Sequence, residues 1–344
     1  MRRAAAESPA ATPRRRAHAA AVAALAAALL AGCGSEDDPR RFPPAAEPAR
    51  SPVPAAKPAG TVVRVGNKPE GLAVDATTGL VAVALTDPDE LALADHRDGR
   101  VVRRVALPGA PRHIRLAAPG GPVLVPAESG DRLAEVALPR GRTRVTGVGD
   151  GPHDADASGG RVFVADEFGS TVSIVEDGRT IKRVDAPLQP GGLAAIPDGP
   201  VALVAVRERV LALFDRDGRR IAQEAAGVGP THVEAGAGGR VYVADTEGEG
   251  ILLFRTRPRL ELVRRVALPG APYGMTIDRE RGRLWVTLTA RNEVVWLPAN
   301  GAPRPVERYP TVRQPNSVAV HEPTGRVFVA SRTDGTLQSF VPRR

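Results

Sequence analysis

The sequence predicts an all-β fold built from seven copies of one unit, and three observations lead to it. A turn ending in proline, followed at once by a short apolar strand, occurs seven times at intervals of 38 to 43 residues. Each copy then contains further short runs with strand character. No segment beyond the first 59 residues shows a sustained helical period. Repeats of about 40 residues with four strands each are typical of a β-propeller, here with seven blades.

Each predicted blade has the same internal order. The first strand begins at one of seven prolines, namely Pro69, Pro111, Pro152, Pro190, Pro230, Pro272 and Pro315. A glycine turn leads to a second strand that is apolar on consecutive residues, as in RVFVADEF and RVYVADT, which is typical of strands covered on both faces. A polar loop leads to the third strand, and a DG-type turn leads to a more charged fourth strand. The unit is therefore a four-stranded antiparallel blade.

The two ends of the predicted domain complement each other. The last unit supplies three strands from Pro315 onward, and GTVVRVG at residues 60–66 matches the pattern of a fourth strand. Pairing this N-terminal strand with the last blade would close the ring and cover an open sheet edge. We therefore expect the propeller to occupy residues 60–344.

The first 32 residues are predicted to be a lipoprotein signal peptide. Arginines precede an apolar stretch, residues 19–31, that is too short to span a bilayer. The string LAGC then ends at Cys33, the only cysteine of the chain, and it resembles the lipobox of bacterial lipoproteins. This resemblance implies that Cys33 is lipidated, the alternative being a plain signal peptide with an incidental cysteine. The export route, Sec or twin-arginine, stays open.

The composition between the predicted anchor and the propeller is typical of a tether. Residues 33–59 are rich in proline, alanine and charge, so we expect a disordered tether.

The net charge of the predicted mature chain is small. Half of the formal charge of +8 belongs to the signal peptide, which has five arginines and one acid. The remainder has no basic run with interleaved aromatics, so nucleic acid is not an expected partner. We expect a monomeric propeller held by lipid at the extracytoplasmic side of the cell membrane.

The repeated units resemble the YVTN-type repeats of bacterial β-propellers. RVYVADT, RVFVADEF and RVFVAS stand where that family has its name-giving strand, and the resemblance covers residues 60–344. It implies a seven-bladed propeller in a secreted or surface setting. It implies little about activity, because one fold carries many functions.

Candidate site residues cluster where the first strands begin, since these strands line the central channel of a propeller. His113, Asp154 and His232 each stand two residues after a blade's proline. Two imidazoles and a carboxylate could hold a divalent metal. The arrangement is similar to the channel-mouth histidines of streptogramin lyases and the amidating lyase, both propeller enzymes, although only two blades carry histidine at this ring position and no third equivalent histidine is present. The alternative is that these residues only solvate the channel mouth and that no cofactor binds.

Neighbouring residues extend the candidate site over what we call the upper face, where the first strands begin. His153, Arg112, Tyr273 and Asn316 stand next to the ring and are candidates for ligand contact. The loops between second and third strands open on the same face and are acidic in blades 1, 2, 3 and 5 but basic in the others. Such an uneven field favours a cationic or dipolar ligand.

The motifs favour binding over catalysis. GxSxG, HExxH and Walker-type strings are absent from the sequence. We expect the upper face to bind a small ligand or a protein partner of unknown identity. The alternative is a metal-dependent lyase or hydrolase acting at the channel mouth.

Overall fold

The computed structural model describes residues 42–300 and 304–343 and contains seven four-stranded antiparallel sheets. The predicted all-β, seven-bladed propeller is therefore confirmed. The predictions for the signal peptide and Cys33 fall outside the described residues. In the described part of the chain, no helix is long and apolar enough to cross a membrane.

The strands follow the predicted order from the channel outward. Blade 1 contains β2 (Pro69–Asp75), β3 (Leu80–Leu85), β4 (Glu90–Asp95) and β5 (Val101–Ala106). Blade 2 contains β6 (Arg115–Leu116), β7 (Val123–Ala127), β8 (Arg132–Ala137) and β9 (Arg142–Gly147). Blade 3 contains β10 (Pro152–Ser158), β11 (Arg161–Asp166), β12 (Thr171–Glu176) and β13 (Arg179–Asp185). Blade 4 contains β14 (Pro190–Ala195), β15 (Val201–Ala205), β16 (Val210–Phe214) and β17 (Arg220–Ala225).

The remaining blades repeat this order. Blade 5 contains β18 (Pro230–Ala235), β19 (Arg240–Asp245), β20 (Gly250–Arg255) and β21 (Glu261–Ala267). Blade 6 contains β22 (Pro272–Asp278), β23 (Arg283–Leu288), β24 (Glu293–Pro298) and β25 (Glu307–Pro310). Blade 7 contains β26 (Pro315–His321), β27 (Arg326–Ser331) and β28 (Thr336–Phe340), and β1 (Thr61–Arg64) pairs antiparallel with β28 as its outer strand. Short 3₁₀ turns occur at Glu128–Gly130 and Ala237–Gly239.

The core lies between the blades. Seven clusters of buried apolar side chains fill the seven interfaces between neighbouring blades. In β3, Val81 and Val83 face blade 7, whereas Ala82 and Ala84 face blade 2. Both faces of a second strand are therefore buried, which explains its consecutive apolar residues.

A pairing irregularity sits at the start of the inner strands and shapes the channel. In six blades the register shifts directly after the proline, as between Pro230 and His232 in blade 5. Blade 2 instead makes an isolated bridge between Pro111 and Ala127 before β6 begins. A bulge of this kind re-aims the side chains beside it. The residues that follow each proline are thereby available to the channel.

Residues 43–59 lie along the propeller, which differs from the free tether that the composition predicts. Ala45 packs against the apolar cluster between blades 4 and 5. Ser51 is 3% exposed, and its hydroxyl donates to the carbonyl of Thr289. Nε2 of Gln314 donates to the carbonyl of Ala49 at 2.9 Å. The extended backbone has carbonyl groups free to accept such bonds, so this segment is held without regular secondary structure.

Candidate functional site in the central channel

Two histidines from different blades meet in the centre of the channel. His113 precedes β6 of blade 2, and His232 lies on β18 of blade 5. Nδ1 of His113 and Nε2 of His232 are 3.0 Å apart, within hydrogen-bond distance. The ring of Tyr273, from blade 6, packs edge-on against His232 with centroids 4.3 Å apart. This histidine pair therefore spans the channel and narrows it.

Both imidazoles are held in the neutral form. Burial lowers the pKa of His113 well below its usual value, and the neighbouring imidazoles and the guanidinium groups of Arg112 and Arg115 disfavour its protonation further. Burial, followed by the same kind of neighbours, lowers the pKa of His232 to about 3. Each ring therefore offers one nitrogen as a hydrogen-bond acceptor at neutral pH. Nδ1 of His232 is buried and has no hydrogen-bond partner among the residues described.

A third imidazole joins the pair from blade 3. The ring centroid of His153 is 4.8 Å from that of His113, and its Nδ1 shares a hydrogen bond with the carboxylate of Glu167. Gln189 donates to the other oxygen of this carboxylate at 2.7 Å. Burial would raise the pKa of Glu167, but these hydrogen bonds and the nearby positive charge lower it. Glu167 is therefore ionised and orients His153.

Paired charges close the upper mouth of the channel, which we define by His153, Glu70, Arg112, Glu128 and Arg332. Nε of Arg112 lies 2.6 Å from Oε2 of Glu128, and its Nη1 lies 3.9 Å from Oε1 of Glu70. Glu70 also forms an ion pair with Arg332. Glu70 is only 5% exposed, so its charge is neutralised within the protein by the two guanidinium groups, whose side chains are themselves partly exposed.

Arg115 crosses the channel one tier below the histidine pair. Its Nη1 donates to Glu234 at 2.8 Å, and its Nη2 donates to the carbonyl of Val233 at 2.9 Å. Its Nε lies 3.5 Å from Oδ1 of Asp154. Burial acts against the charged guanidinium, but the nearby carboxylates outweigh it and raise the pKa of Arg115. Arg115 therefore stays charged and ties blade 2 to blades 3 and 5.

Asp154 lies close to the histidines, but its carboxylate is engaged elsewhere. The backbone amides of Ala155 and Leu193 each donate to it at 2.9 Å, and Arg115 lies beside it. The geometry therefore supports two imidazole nitrogens at the channel centre and disfavours Asp154 as a third metal ligand. The metal site predicted at His113, His232 and Asp154 stays a prediction with this observation against it.

A different trio also brings possible metal ligands together. Ligand atoms of Glu128, His153 and Glu167 lie within 4.8 Å of one another. Arg112 already pairs with Glu128, and His153 already bonds Glu167. One oxygen of each carboxylate and Nδ1 of His153 are therefore already engaged by protein groups.

A cavity of about 360 Å³ extends from the histidine pair toward what we call the lower face, where the inner strands end. Its lining starts with His113 and His232 and reaches Asp75 and Glu322 at the lower ends of β2 and β26. The upper-mouth residues are not part of this lining. The histidine pair is therefore the closed end of a pocket that opens below.

Asn316 lies between the cavity and the N-terminal segment, residues 43–59. It lines the top of the cavity and is 3% exposed. Its Oδ1 accepts a hydrogen bond from Gln314 at 3.1 Å, and Gln314 also holds residues 49–51. Asn316 thus connects the N-terminal segment to the channel.

The acidic loops of the upper face have two different roles. Glu128 and Glu167 reach the upper mouth. Asp166 and Asp245, by contrast, are fully buried and accept hydrogen bonds from their own blades. Part of the predicted negative field is therefore structural and is not presented to a ligand.

The sequence predicts the channel residues at the level of the histidine pair, which we call the first tier. It did not lead us to the residues two positions further along the inner strands, which form the second tier. His113, His153, His232, Arg112 and Tyr273 come together as candidates. Three charged residues one tier below were not singled out, and they are Arg115, Asp156 and Glu234. Each stands four residues after its proline. Alternate residues of a strand share a face, so the period of two was the signal that could have identified them.

Comparison with known proteins places the chain by fold. No family model and no curated protein sequence matches it. A streptogramin B lyase structure is similar with a TM-score of 0.69 and 14% identity, covering 81% of this chain and 98% of that one. The structure of Kuenenia stuttgartiensis hydrazine synthase is similar with a TM-score of 0.69 and 16% identity, covering 83% of this chain and 99% of that one.

A third solved structure is a catalytically inactive virginiamycin B lyase variant from Staphylococcus aureus with quinupristin. It has a TM-score of 0.68 and 14% identity over 82% of this chain and 99% of that one. Identities this low carry the fold but not the chemistry. The YVTN-type resemblance has no family match behind it, and what the chain shares with these proteins is the seven-bladed β-propeller fold.

Proposed function

We propose that this protein is a ligand-binding propeller, held at the extracytoplasmic side of the membrane by a lipid on Cys33, with its site in the central channel. The observation that carries the proposal is the neutral pair His113 and His232 at the closed end of a cavity of about 360 Å³. A concave pocket with apolar walls and a few convergent polar groups is the usual form of a small-molecule site.

The proposed site lies beneath the histidine pair rather than on the loops of the upper face. Residues of the upper mouth are engaged with one another, and the N-terminal segment contacts blades 4, 6 and 7 on the same side. The cavity below the pair has free volume and mixed polar and apolar walls. A ligand there would contact both the imidazoles and the apolar side chains of the inner strands.

The binding proposal is tested with a library of small molecules and the mature protein. We expect the compounds that bind to shift the ring NMR signals of His113 and His232. Thr276→Trp on the cavity wall should abolish these shifts by filling the pocket, whereas Thr143→Trp on the exposed strand β9 should not. Compounds that bind both variants equally, or a library without effect on the histidine pair, would overturn the proposal.

The anchor rests on the sequence resemblance of LAGC to a lipobox. Mass spectrometry of the protein from membranes should show a lipid on Cys33, and Cys33→Ala should move the protein to the soluble fraction. A protein without lipid, partitioning as the variant does, would contradict the anchor and leave the channel site unaffected.

A second candidate, from the enzyme class, is a lyase or hydrolase that uses the histidine pair. The observation in its favour is that two imidazoles from different blades meet in the channel and line the cavity, where they could contact a substrate. The lowered pKa of both rings makes each a weak base in the free protein, which counts against general-base catalysis. A metal would have the two imidazole nitrogens as protein ligands, and it would supply Lewis-acid polarisation when bound. Elemental analysis would favour this candidate if the purified protein contained close to one Zn, Mn, Ni or Fe ion per chain and the His113→Ala variant contained none.

A further inference from the structure

We propose that the channel cavity takes a small organic cation, a protonated amine with an apolar body, which reaches it from the lower face. This rests on the proposed function, because it assigns a ligand class to the same pocket. Three features carry it: the direction in which the cavity opens, the balance of charge along its wall, and the neutral imidazoles at its closed end.

The direction of access follows from what covers each end. Above the pair, Glu70, His153 and Tyr273 are at most 8% exposed. Below the pair, the cavity runs along β2, β22 and β26 to residues that follow those strands, such as Arg279 and Glu322, on the lower face. A molecule can therefore reach the histidine pair from below without displacing the buried ion pairs.

The charge of the wall is negative. The charged residues of the lining are Asp75, Asp156, Glu234, Glu322, Arg115 and Arg279, so four carboxylates face two guanidinium groups. The histidine pair is neutral and does not change this balance. A cavity with an excess of one sign in a low-dielectric wall concentrates ligands of the opposite sign.

Three carboxylates of the lining, namely Asp75, Asp156 and Glu322, form no ion pair among the described residues, and Asp156 is the one beside Arg115 on the channel wall. Arg115 forms ion pairs with Asp154 and Glu234, whereas Asp156 has no ion pair among the described residues. Its oxygens accept only the backbone amides of Ala157 and Ala195, each at 2.8 Å. Burial raises the pKa of Asp156, and the nearby guanidinium of Arg115 and the two amides offset this only in part, so a negative charge on Asp156 keeps a cost in the channel. An ammonium group beside Asp156 would remove that cost.

The remaining groups suit the other parts of such a ligand. The neutral rings of His113 and His232 line the closed end of the cavity and add no positive charge that would repel an ammonium group. Leu72, Met275 and Val318 provide apolar wall against which a hydrocarbon body would be stabilised. An anion would face the carboxylates with Arg115 already engaged. The geometry thus selects a cation with an apolar portion.

The test compares three matched probes with the mature protein: butylammonium, butanol and butyrate. Binding is followed through the ring signals of His113 and His232 and by calorimetry. We expect butylammonium to bind most tightly and butyrate not to bind. Asp156→Asn should weaken butylammonium about tenfold, and the exposed control Asp98→Asn should leave it unchanged. Thr276→Trp, which does not alter charge, should abolish binding.

The outcomes distinguish the cation preference from the proposal that the channel binds a ligand at all. Butanol and butyrate binding as tightly as butylammonium, with no effect of Asp156→Asn, would overturn the cation preference and leave the channel site standing. Butylammonium without effect on the histidine signals would likewise overturn it. Thermal unfolding of each variant checks that it is folded. The channel site itself fails when the library leaves the histidine pair unperturbed, or when its compounds bind Thr276→Trp and Thr143→Trp equally.

Discussion

His113 and His232 stand 119 residues apart in the chain and lie in hydrogen-bond contact, with Nδ1 of the first 3.0 Å from Nε2 of the second. They reach the channel from blades 2 and 5, and the closed ring brings them together. Because both are neutral, they act as a polar but uncharged roof over the cavity. This relationship ties the fold to the candidate site.

The first prediction concerns pH. The folded pKa of His232 is lowered to about 3, whereas the unfolded value is near 6.5. As pH falls below about 6.5, the unfolded chain takes up the proton first, so the free energy of unfolding should decrease. The slope has an upper limit of about 1.4 kcal/mol per pH unit for this residue. His232→Gln should remove its share of the slope in chemical denaturation between pH 7 and 5.

The same prediction has a direct spectroscopic check. The ring signals of His113 and His232 should not shift between pH 7 and 5 in the folded protein. In denaturant the same signals should titrate near the usual value. A folded-state titration of His232 near pH 6.5 would contradict the neutral pair.

The second prediction concerns Arg115. Arg115→Met leaves Asp154 and Glu234 without their cation inside the channel, so the folded protein should be destabilised. We expect a loss of about 2 to 4 kcal/mol, below the value for a fully buried pair because Arg115 retains some exposure. Chemical denaturation measures it, with Arg103→Met on the exposed strand β5 as the matched control. Equal stability of the two variants would show that the ion pairs contribute little.

The third prediction concerns Asp166, which holds the upper end of blade 3. It accepts hydrogen bonds from the amide of Gly149 and from the hydroxyls of Thr171 and Ser173. Asp166→Ala removes the acceptor for these donors and should cost about 2 to 4 kcal/mol. Exposed Asp177→Ala should cost far less. Burial raises the pKa of Asp166 to about 6 against the effect of its donors, so Asp166→Asn should be tolerated much better than Asp166→Ala.

The fourth prediction concerns the N-terminal segment. Ser51 is buried, and its hydroxyl accepts from the amide of Gln314 and donates to the carbonyl of Thr289. The amide of Ser51 donates to the side chain of Gln314, which in turn donates to the carbonyl of Ala49. Gln314→Ala should release this segment and accelerate tryptic cleavage after Arg50 by about tenfold. This factor corresponds to a decrease of about 1.4 kcal/mol in the free energy that holds the segment on the propeller. Val53→Ala, at a position 76% exposed, should leave cleavage unchanged.

Mass spectrometry of timed digests identifies the cleavage site. Cleavage after Arg50 at the same rate in the wild type and in Gln314→Ala would mean that the segment is not held by these bonds. Cleavage accelerated equally by Val53→Ala would point to a general effect of substitution in the segment.

The candidate site could be predicted in part because strand geometry is local. The proline turns mark where inner strands begin, so the ring position of His113 and His232 follows from counting residues. Their contact could not be predicted, since it depends on the width of the closed ring. The engagement of Asp154 was also beyond the sequence, because its donor Leu193 belongs to the next blade.

By itself the sequence determined the repeat, the four strands of each blade, and the residues that face the channel at the first tier. These follow from local rules, namely turn chemistry and the two-residue period of a strand. Only the tertiary structure decided which carboxylates are paired, that residues 43–59 lie along the propeller, and that free volume lies below the histidine pair. Those features depend on distances between blades far apart in the chain, and local chemistry does not encode such distances.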